Sequence, residues 1–313
     1  MEIIRYTAPY DSKATLDLIE SIFGEFERNL ETPQLDGTEA RYNLDTVFMA
    51  VDGDNPLGMI HITIPKANPT LAGISAVLTT EEARGKGIGR LLFKTAMDEI
   101  DSLGVTTAFL GTGNPIAHKL YSSFGFSYLV GSDVMIRHKS GGVVDFYRDY
   151  FEAYEGKLTV SEMTAEFRIP IIPLALHRSS QIILDANVDL VSTSIFNQTC
   201  CMSLYPRYMN LIEKGGKCFT VKDGRGVIGA AASIAEDKNG SVRADVFLNK
   251  SYEAALPDLI SSLKSFKDTF YFEIARRDGY KENLLAPYLT DVKEESYYEH
   301  KGVLVPTVKR YIK

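Results

Sequence analysis

Six consecutive residues in the first half of the chain, Arg84-Gly85-Lys86-Gly87-Ile88-Gly89, combine two cations with three glycines just before an amphipathic helix pattern. The first turn of a helix leaves N–H groups without partners, and the helix dipole places partial positive charge there. Glycines let such a backbone approach an anion closely because they carry no Cβ. The stretch therefore predicts a site for a phosphate or diphosphate, with a tight turn that binds nothing as the alternative.

Two common phosphate-binding loops do not fit this stretch. The loop of nucleotide hydrolases requires GxxxxGK followed by Ser or Thr, which the stretch lacks. The dinucleotide-binding fingerprint GxGxxG requires a third glycine, which this stretch lacks at the required position. In that fingerprint the strand before the glycines belongs to a parallel βαβ unit. The strand before the present loop ends a meander instead, so both classes are excluded.

The residues around the loop predict an order of strands and helices that reads β-α-α-β-β-β-α-β-α-β, with a three-stranded meander before the loop. Short β-branched runs separated by turn residues such as Asp-Gly-Asp-Asn-Pro are typical of hairpins, and apolar residues at helical spacing are typical of helices. Strands are expected within residues 1–7, 45–64, 71–79, 105–112 and 126–137, and helices within 12–30, 88–103 and 115–124.

The second half of the chain repeats part of the first. Residues 47–60 align without a gap on residues 218–231, and residues 17–23 resemble residues 189–196. A repeat of this length indicates two related structural units in tandem. Hairpins also share turn chemistry for physical reasons, so a short match alone leaves common ancestry open.

The repeat sets a changed sequence opposite the glycine loop. Residues 84–89 correspond to residues 253–258, where every glycine is lost and acids are gained. Such a backbone could not approach a phosphate closely, so we expect one functional site per chain, in the first unit. The expected organisation is a first domain at residues 1–138, a connecting helical segment at 139–168 and a degenerate second domain at 169–313.

A second motif follows the loop. The stretch GNPIAHKLYSSFGF carries Asn114, Tyr121 seven residues later, and a closing Gly125-Phe126. The loop matches the pattern of Gln or Arg, two residues, Gly, one residue, then Gly or Ala. Together the two motifs resemble the GNAT superfamily of acyl-CoA-dependent N-acyltransferases. The resemblance covers residues 1–137 and reaches the second half only through the repeat. It implies an α+β, GNAT-like fold in tandem, with a mixed, mostly antiparallel sheet flanked by helices, and acetyl-CoA as co-substrate.

The resemblance implies where the cofactor binds. Amides of the loop would bind the coenzyme A diphosphate, and the pantetheine arm would pair with the preceding strand like an added strand. Asn114 would bind that arm or help to separate the neighbouring strand; the alternative is a turn residue before Pro115. The expected cofactor-binding residues are Val77, Leu78, Thr79, Arg84, Gly85, Lys86, Gly87, Ile88, Gly89, Arg90 and Asn114.

The resemblance also implies direct attack of an amine on the thioester in a ternary complex. Tyr121 matches the general acid that protonates the leaving thiolate, with simple packing on the cofactor helix as the alternative. The general base is not evident from the motifs. His61 is a candidate, although a buried structural histidine is the alternative, and the other candidates are Glu25, Glu27 or an ordered water.

Composition narrows the class of protein. The formal net charge of −7 argues against a general nucleic-acid binder. Cys200, Cys201 and Cys218 provide neither a disulfide framework nor a metal-ligand spacing, so we expect a reduced, cytoplasmic protein without a metal. Neither a signal peptide nor an apolar run long enough for a bilayer is evident, and no membrane is expected as a partner.

The expected function is therefore an acetyl-CoA-dependent N-acetyltransferase that acts on a primary amine of a small molecule or peptide, as a monomer or homodimer. Two alternatives stay open: a catalytically inactive acyl-CoA-binding regulatory protein of the same fold, and a related enzyme that forms a thioester or ester. An acidic segment could attract a cationic amine or simply be a solvated surface. Its acids are Glu25, Glu27, Glu31, Asp36, Glu39 and Asp45.

Overall fold

The computed structural model describes residues 1–129, 131–176, 182–193 and 201–313, which build two seven-stranded sheets flanked by helices. The strands are β1 (Glu2–Thr7), β2 (Asn43–Asp52), β3 (Asn55–Pro65), β4 (Leu71–Thr79), β5 (Thr107–Gly111), β6 (Ser127–Tyr128), β7 (Val134–His138), β8 (Thr159–Glu162), β9 (Ile183–Asp185), β10 (Leu190–Ser192), β11 (Lys217–Lys222), β12 (Ile228–Glu236), β13 (Val242–Leu248), β14 (Tyr271–Ala275), β15 (Leu289–His300) and β16 (Val303–Ile312). The helices are α1 (Lys13–Phe23), α2 (Glu25–Leu35), α3 (Ile88–Ser102), α4 (Pro115–Ser122), α5 (Val143–Tyr150), α6 (Ile171–Leu176), α7 (Leu204–Glu213), α8 (Leu256–Phe266) and α9 (Gly279–Leu285).

The two sheets have the same strand order. The first runs β1-β2-β3-β4-β5-β7-β6, and the second runs β8-β11-β12-β13-β14-β16-β15. Each contains one parallel pair, β4 with β5 and β13 with β14. The other neighbouring strands in both sheets are antiparallel. The predicted mixed, mostly antiparallel α+β architecture in two tandem units is therefore confirmed.

The aligned repeat has a structural basis only in part. Residues 47–60 and 218–231 lie in equivalent hairpins, β2–β3 and β11–β12. The upstream resemblance is wrong as a structural equivalence, because residues 17–23 lie in α1 whereas Leu190–Ser192 form β10 against β9. Residues 194–196 of that segment lie outside the described residues. A Leu-Val-Ser run readily becomes a strand once a partner strand is adjacent.

One expected boundary needs correction. Residues 139–168 were expected to connect the two domains, and they do contain α5. However, Thr159–Glu162 form β8, the edge strand of the second sheet, paired antiparallel with β11. The four residues Thr-Val-Ser-Glu are too few to give a strand pattern of their own, so the pairing depends on the partner strand. The other boundaries stay predictions.

The amphipathic pattern of α3 explains how this helix is held. α3 buries one face, which includes Ile88, Leu92 and Ala96, at the spacing expected of an amphipathic helix.

α1 and α2 are separated at Gly24, whose φ of 90° interrupts the helical backbone. None of the helices that the described residues form has both the length and the hydropathy needed to cross a membrane.

The two halves pack directly on each other. One continuous core joins Leu71 and Phe109 of the first sheet to Ile169 of the second half. A Cβ at Gly73 would meet the ends of the Ile169 and Met202 side chains, which would have to move to make room for it. The glycine therefore lets β4 touch the second half directly.

Candidate active site

β4 and β5 separate within the first sheet. Their ladder consists of pairs from Leu71 to Gly73 and ends there, although β4 continues to Thr79. Ala76 has a positive φ of 45° and lies at a register shift against β3, a β-bulge that bends the strand. The separation opens a cavity of about 370 Å³ bordered by β4, by the residues after β5 and by α2 and α4.

The glycine loop lies at the N-terminus of α3, where the sequence predicts it. Gly85 and Gly87 have φ values of 74° and 79°, and a Cβ on either would meet open space. The Leu91 N–H donates to the Gly87 carbonyl at 3.1 Å, and the amides of the first helical turn before it have no partner within the helix. Arg84 and Lys86 are exposed beside them. The open, positively charged loop fits a diphosphate.

Tyr121 lies in the wall of the cavity on α4. It is 5% exposed and stacks on Phe93 of α3, with 4.9 Å between ring centroids. Burial raises the pKa of the Tyr121 hydroxyl to about 12, which keeps it protonated at neutral pH. Among the described residues, no group hydrogen-bonds this hydroxyl. Both of its predicted roles are therefore compatible with the geometry: the ring packs on the cofactor helix, and the hydroxyl is left for a ligand.

Asn114 caps α4 at the mouth of the cavity. Its side-chain oxygen accepts hydrogen bonds from the Ile116 and Ala117 N–H groups at 2.9 and 3.5 Å. The predicted role as a turn residue before Pro115 is thus visible in the geometry, and contact with the pantetheine arm stays a prediction.

The strand residues predicted to bind the cofactor divide into two groups. Val77 borders the cavity together with Ser75 and Ala76. Leu78 is buried in a cluster that packs against α1, and Thr79 pairs with Gly58 of β3. Because an added strand would use the main chain, the buried side chain of Leu78 does not conflict with its predicted role.

His61 is completely buried between two carboxylates. Its Nδ1 lies 2.5 Å from Glu31 Oε2, and its Nε2 lies 3.1 Å from Asp45 Oδ1. Burial alone would lower the pKa of His61, but the two carboxylates outweigh it and raise the pKa to about 10. A histidine protonated at neutral pH cannot accept a proton from an amine. The arrangement favours the structural alternative for His61 over the role of base.

Two acids of α2, Glu27 and Glu31, line the cavity. Glu31 is held by His61, whose charge outweighs burial and lowers the Glu31 pKa. Glu27 is half-buried and makes no hydrogen bond to the described residues. Burial and the neighbouring Glu31 raise the pKa of Glu27. A cavity-facing carboxylate with a raised pKa has the properties of a general base. Glu25 is exposed and does not border the cavity.

The acidic segment therefore does not behave as one solvated surface. Glu31, Glu39 and Asp45 are buried in charged networks, whereas Glu25 and Asp36 are exposed. The pattern of charges along the sequence could not distinguish the two groups, because their partners come from other elements.

The second half completes the cavity wall. Arg168, Cys201 and Met202 border the same cavity as Glu27 and Tyr121. Cys201 is buried and Cys218 is a buried free cysteine, while Cys200 lies outside the described residues. Within the parts of the chain that the structure describes, no group of three or more His, Cys, Asp or Glu side chains is placed to hold a metal ion.

The assembled site has a match among known protein families. Residues 14–126 match the sequence model of the Acetyltransferase (GNAT) family. Residues 14–126 thus form a GNAT acetyltransferase domain. The match begins in α1 and ends after α4, so it includes the loop, the separated strands and both α2 acids that border the cavity.

Several solved structures are similar to the chain. A GNAT-family N-acetyltransferase (YhbS) from Escherichia coli in complex with CoA is 18% identical over 45% of this chain and 83% of that one, with a TM-score of 0.35. An IAA acetyltransferase from Bacillus cereus is 20% identical over 40% of this chain and 77% of that one, with a TM-score of 0.31. The ribosomal-protein-S18-alanine N-acetyltransferase from Escherichia coli is 17% identical over 44% of this chain and 96% of that one, with a TM-score of 0.33. No curated protein sequence matches the chain.

The second half differs from the GNAT domain at the equivalent place. The parallel ladder of β13 and β14 ends at Ala244 and Phe272, and Asp245 follows directly. Lys281 of α9 donates to Asp245 Oδ1 at 2.7 Å, and both side chains are buried. In the second half a buried ion pair thus lies directly after the end of this ladder, and a single functional site per chain stays a prediction.

Sequence reasoning did not identify Arg168, and it did not place the individual acids of α2. Arg168 lies far from the GNAT motifs in sequence and belongs to no pattern of its own. Only the packing of the two halves brings it to the cavity. Glu27 was one of several candidates for the base, and its position on the inner face of α2 distinguishes it from Glu25.

Proposed function

We propose that this protein transfers an acetyl group from acetyl-CoA to a primary amine in the first half of the chain. The GNAT match supports acyl-CoA-dependent N-acyl transfer in general. The acetyl donor and the primary amine are the finer part of the proposal. One observation carries it: a single cavity is bordered by the bulged strand at Ala76, by Tyr121 and by Glu27.

The residues of the loop and β4 fit the donor substrate. The amides at the start of α3 and the open space at Gly85 and Gly87 suit a diphosphate. Acetyl-CoA supplies the activated acyl group as a thioester. The edge of β4 beyond Gly73, which has no ladder to β5, suits an extended arm that pairs with the main chain of residues 77–79.

The attacking amine and the leaving sulfur are served by different side chains. The amine must lose a proton, and we assign Glu27 as the base that takes it. The main chain near Ala76 to Leu78 provides N–H donors for the carbonyl oxygen as negative charge develops there. Attack forms the C–N bond and breaks the C–S bond, so the products are an amide and a free thiol.

Tyr121 acts on the departing sulfur. A thiol has a pKa of about 8.5 by analogy with cysteine. The Tyr121 hydroxyl has a pKa of about 12, so it keeps most of its hold on the proton. Tyr121 therefore stabilises the leaving thiolate chiefly by a charge-assisted hydrogen bond, and the thiolate becomes the free thiol by taking a proton from solvent, to which Glu27 releases the proton of the amine.

A thiol-release assay with acetyl-CoA and a panel of primary amines tests the proposal. We expect amine-dependent release of CoA, with the acetylated amine detected by mass spectrometry. Tight binding of CoA without turnover of any amine would instead support the alternative of a regulatory acyl-CoA-binding protein. Acetylation of a thiol or alcohol in place of every amine would support the ester- or thioester-forming alternative.

A further inference from the structure

Arg168 joins the two halves beside the cavity. Its Nε donates to Glu39 Oε2 at 2.6 Å and its Nη2 donates to Glu39 Oε1 at 2.5 Å, a bidentate pair between the second half and the first. The guanidinium carbon lies 4.9 Å from the centre of the Tyr205 ring. Arg168 is only 2% exposed, so these contacts fix its orientation.

One nitrogen of this guanidinium has no partner in the part of the chain that the structure describes. Within the described residues, Arg168 Nη1 is buried and makes no hydrogen bond, although its two N–H groups are donors. A buried donor without an acceptor destabilises the fold unless a water or a ligand oxygen satisfies it. The position of Arg168 shows where such an acceptor could come from.

Arg168 borders two cavities. The first is the cavity that contains Glu27 and Tyr121. The second, of about 510 Å³, lies between α2 and α7 and is bordered by Phe26 and Met209 among others. Leu30 and Arg168 border both, so the two cavities adjoin at these two residues. A substrate with its amine near Glu27 therefore lies in a cavity whose wall also includes Arg168.

We propose that Arg168 binds the acceptor substrate by donating from Nη1 to an oxygen close to the reacting amine. The inference rests on the proposed function. The acceptor is then a primary amine that carries a carbonyl or carboxylate oxygen a few bonds away, as in an amino acid, its amide or a peptide. Glu39 neutralises the guanidinium, so a neutral amide oxygen fits this donor better than a carboxylate does. The cavity between α2 and α7 has room for the remainder of such an acceptor.

The second half thus has a role without a cofactor loop of its own. It supplies a recognition residue for the acceptor, while the GNAT domain supplies the donor site and the base. Arg168 is a binding residue in this assignment and takes no part in proton transfer.

The test compares two variants that both lack the Glu39 charge. Glu39→Gln keeps the guanidinium, whereas the double variant Glu39→Gln with Arg168→Met removes it without leaving a buried charge unpaired. Acetyl transfer is measured with glycinamide, glycine and ethylamine as acceptors. We expect the ratio of kcat/KM for glycinamide to kcat/KM for ethylamine to be at least about tenfold lower in the double variant than in Glu39→Gln. The change should appear in KM rather than in kcat. Comparing one preference between variants cancels the different intrinsic reactivities of the amines.

A binding measurement separates this inference from the proposed function. Glycinamide is titrated by NMR into each variant saturated with CoA, a readout that needs no turnover. Weaker binding to the double variant than to Glu39→Gln supports the role of Arg168 even if no amine is acetylated. Equal binding, or an unchanged preference in the assay, would overturn it and leave a water as the partner of Nη1. A preference for glycine that the double variant loses would support the carboxylate form of the acceptor.

Discussion

Tyr121 and Leu285 occupy the same place in the two halves of the chain. Each lies seven residues after the residue that caps an equivalent helix, Asn114 for α4 and Asp278 for α9, and each is buried. At these equivalent positions only Tyr121 carries a hydroxyl. Together with the loss of glycines in residues 253–258, this difference restricts the proposed chemistry to the first half.

The first prediction concerns that hydroxyl. In Tyr121→Phe the ring still packs on Phe93, but the departing sulfur loses its donor. We expect kcat to fall by about tenfold to a hundredfold, since a hydrogen bond to a charged group contributes about 1.5–3 kcal/mol. The affinity for acetyl-CoA should stay close to that of the wild type. Thiol release and calorimetry measure the two quantities.

Tyr128→Phe is the matched control for this variant. Tyr128 is an exposed tyrosine whose hydroxyl donates to the Thr112 carbonyl at 3.4 Å, and it does not border the cavity. Its removal should leave kcat close to that of the wild type. If Tyr121→Phe also retained full activity, Tyr121 would be a packing residue only.

The second prediction concerns the base. Glu27→Gln should lower kcat/KM by about a hundredfold or more, the usual contribution of general-base catalysis. Burial and Glu31 raise the pKa of Glu27. A base must be deprotonated, so wild-type activity should rise with pH through this raised pKa. That step should be missing from the profile of Glu27→Gln.

The control for Glu27→Gln is Glu25→Gln on the same helix. Glu25 is exposed and outside the cavity, so both the rate and the pH profile should match the wild type. If the pH profile of kcat/KM for Glu27→Gln matched that of the wild type, water or another group would take the proton from the amine.

The elements that the sequence predicts well are those with a local signal. β4 spans Leu71–Thr79 as expected, and α3 begins at Ile88, directly after the glycines. Turn residues, helical spacing and the conformational freedom of glycine act over a few neighbouring residues. A reader of the sequence can therefore see their effects without knowing the fold.

The parts that the sequence does not predict depend on distant partners. His61, Glu31 and Asp45 form one buried cluster although they come from three separate elements. The pairing of Arg168 with Glu39 spans 129 positions along the chain. No periodicity marks such contacts, because they follow from the way in which the sheet, α2 and the second half pack together.

The third prediction tests where the donor substrate binds. Gly87→Glu places a negative side chain at the start of α3, where the proposal puts a diphosphate. We expect the affinity for acetyl-CoA to fall by at least about tenfold, measured by calorimetry. Ala254→Glu introduces the same side chain in the corresponding loop of the second half, where Ala254 is exposed. This variant should leave the affinity for acetyl-CoA unaltered.

A second variant separates binding from folding at this position. Gly87 has a φ of 79°, which strains most side chains but is tolerated by asparagine better than by other residues. Gly87→Asn should therefore keep the unfolding temperature near that of the wild type while weakening the binding of acetyl-CoA, because its side chain enters the space at the loop. Unchanged affinity in Gly87→Glu would place the diphosphate elsewhere.

The fourth prediction concerns stability. The pKa of His61 is about 10 in the folded protein, above the value of about 6.5 expected when unfolded. A raised folded pKa gives stability that is fully present below pH 6.5 or so and is lost as the pH rises toward 10. His61→Gln should lower the free energy of unfolding at pH 7 by about 3–5 kcal/mol, because Glu31 and Asp45 lose their shared partner.

The decisive measurement is how the stability difference between the wild type and His61→Gln changes with pH. Urea unfolding of the wild type and of His61→Gln at pH 7 and pH 9.5 gives the difference between the two proteins at each pH. Since only the wild type carries the His61 charge, its advantage should shrink as the pH rises. An advantage that stays constant or grows would mean that His61 is neutral in the folded protein.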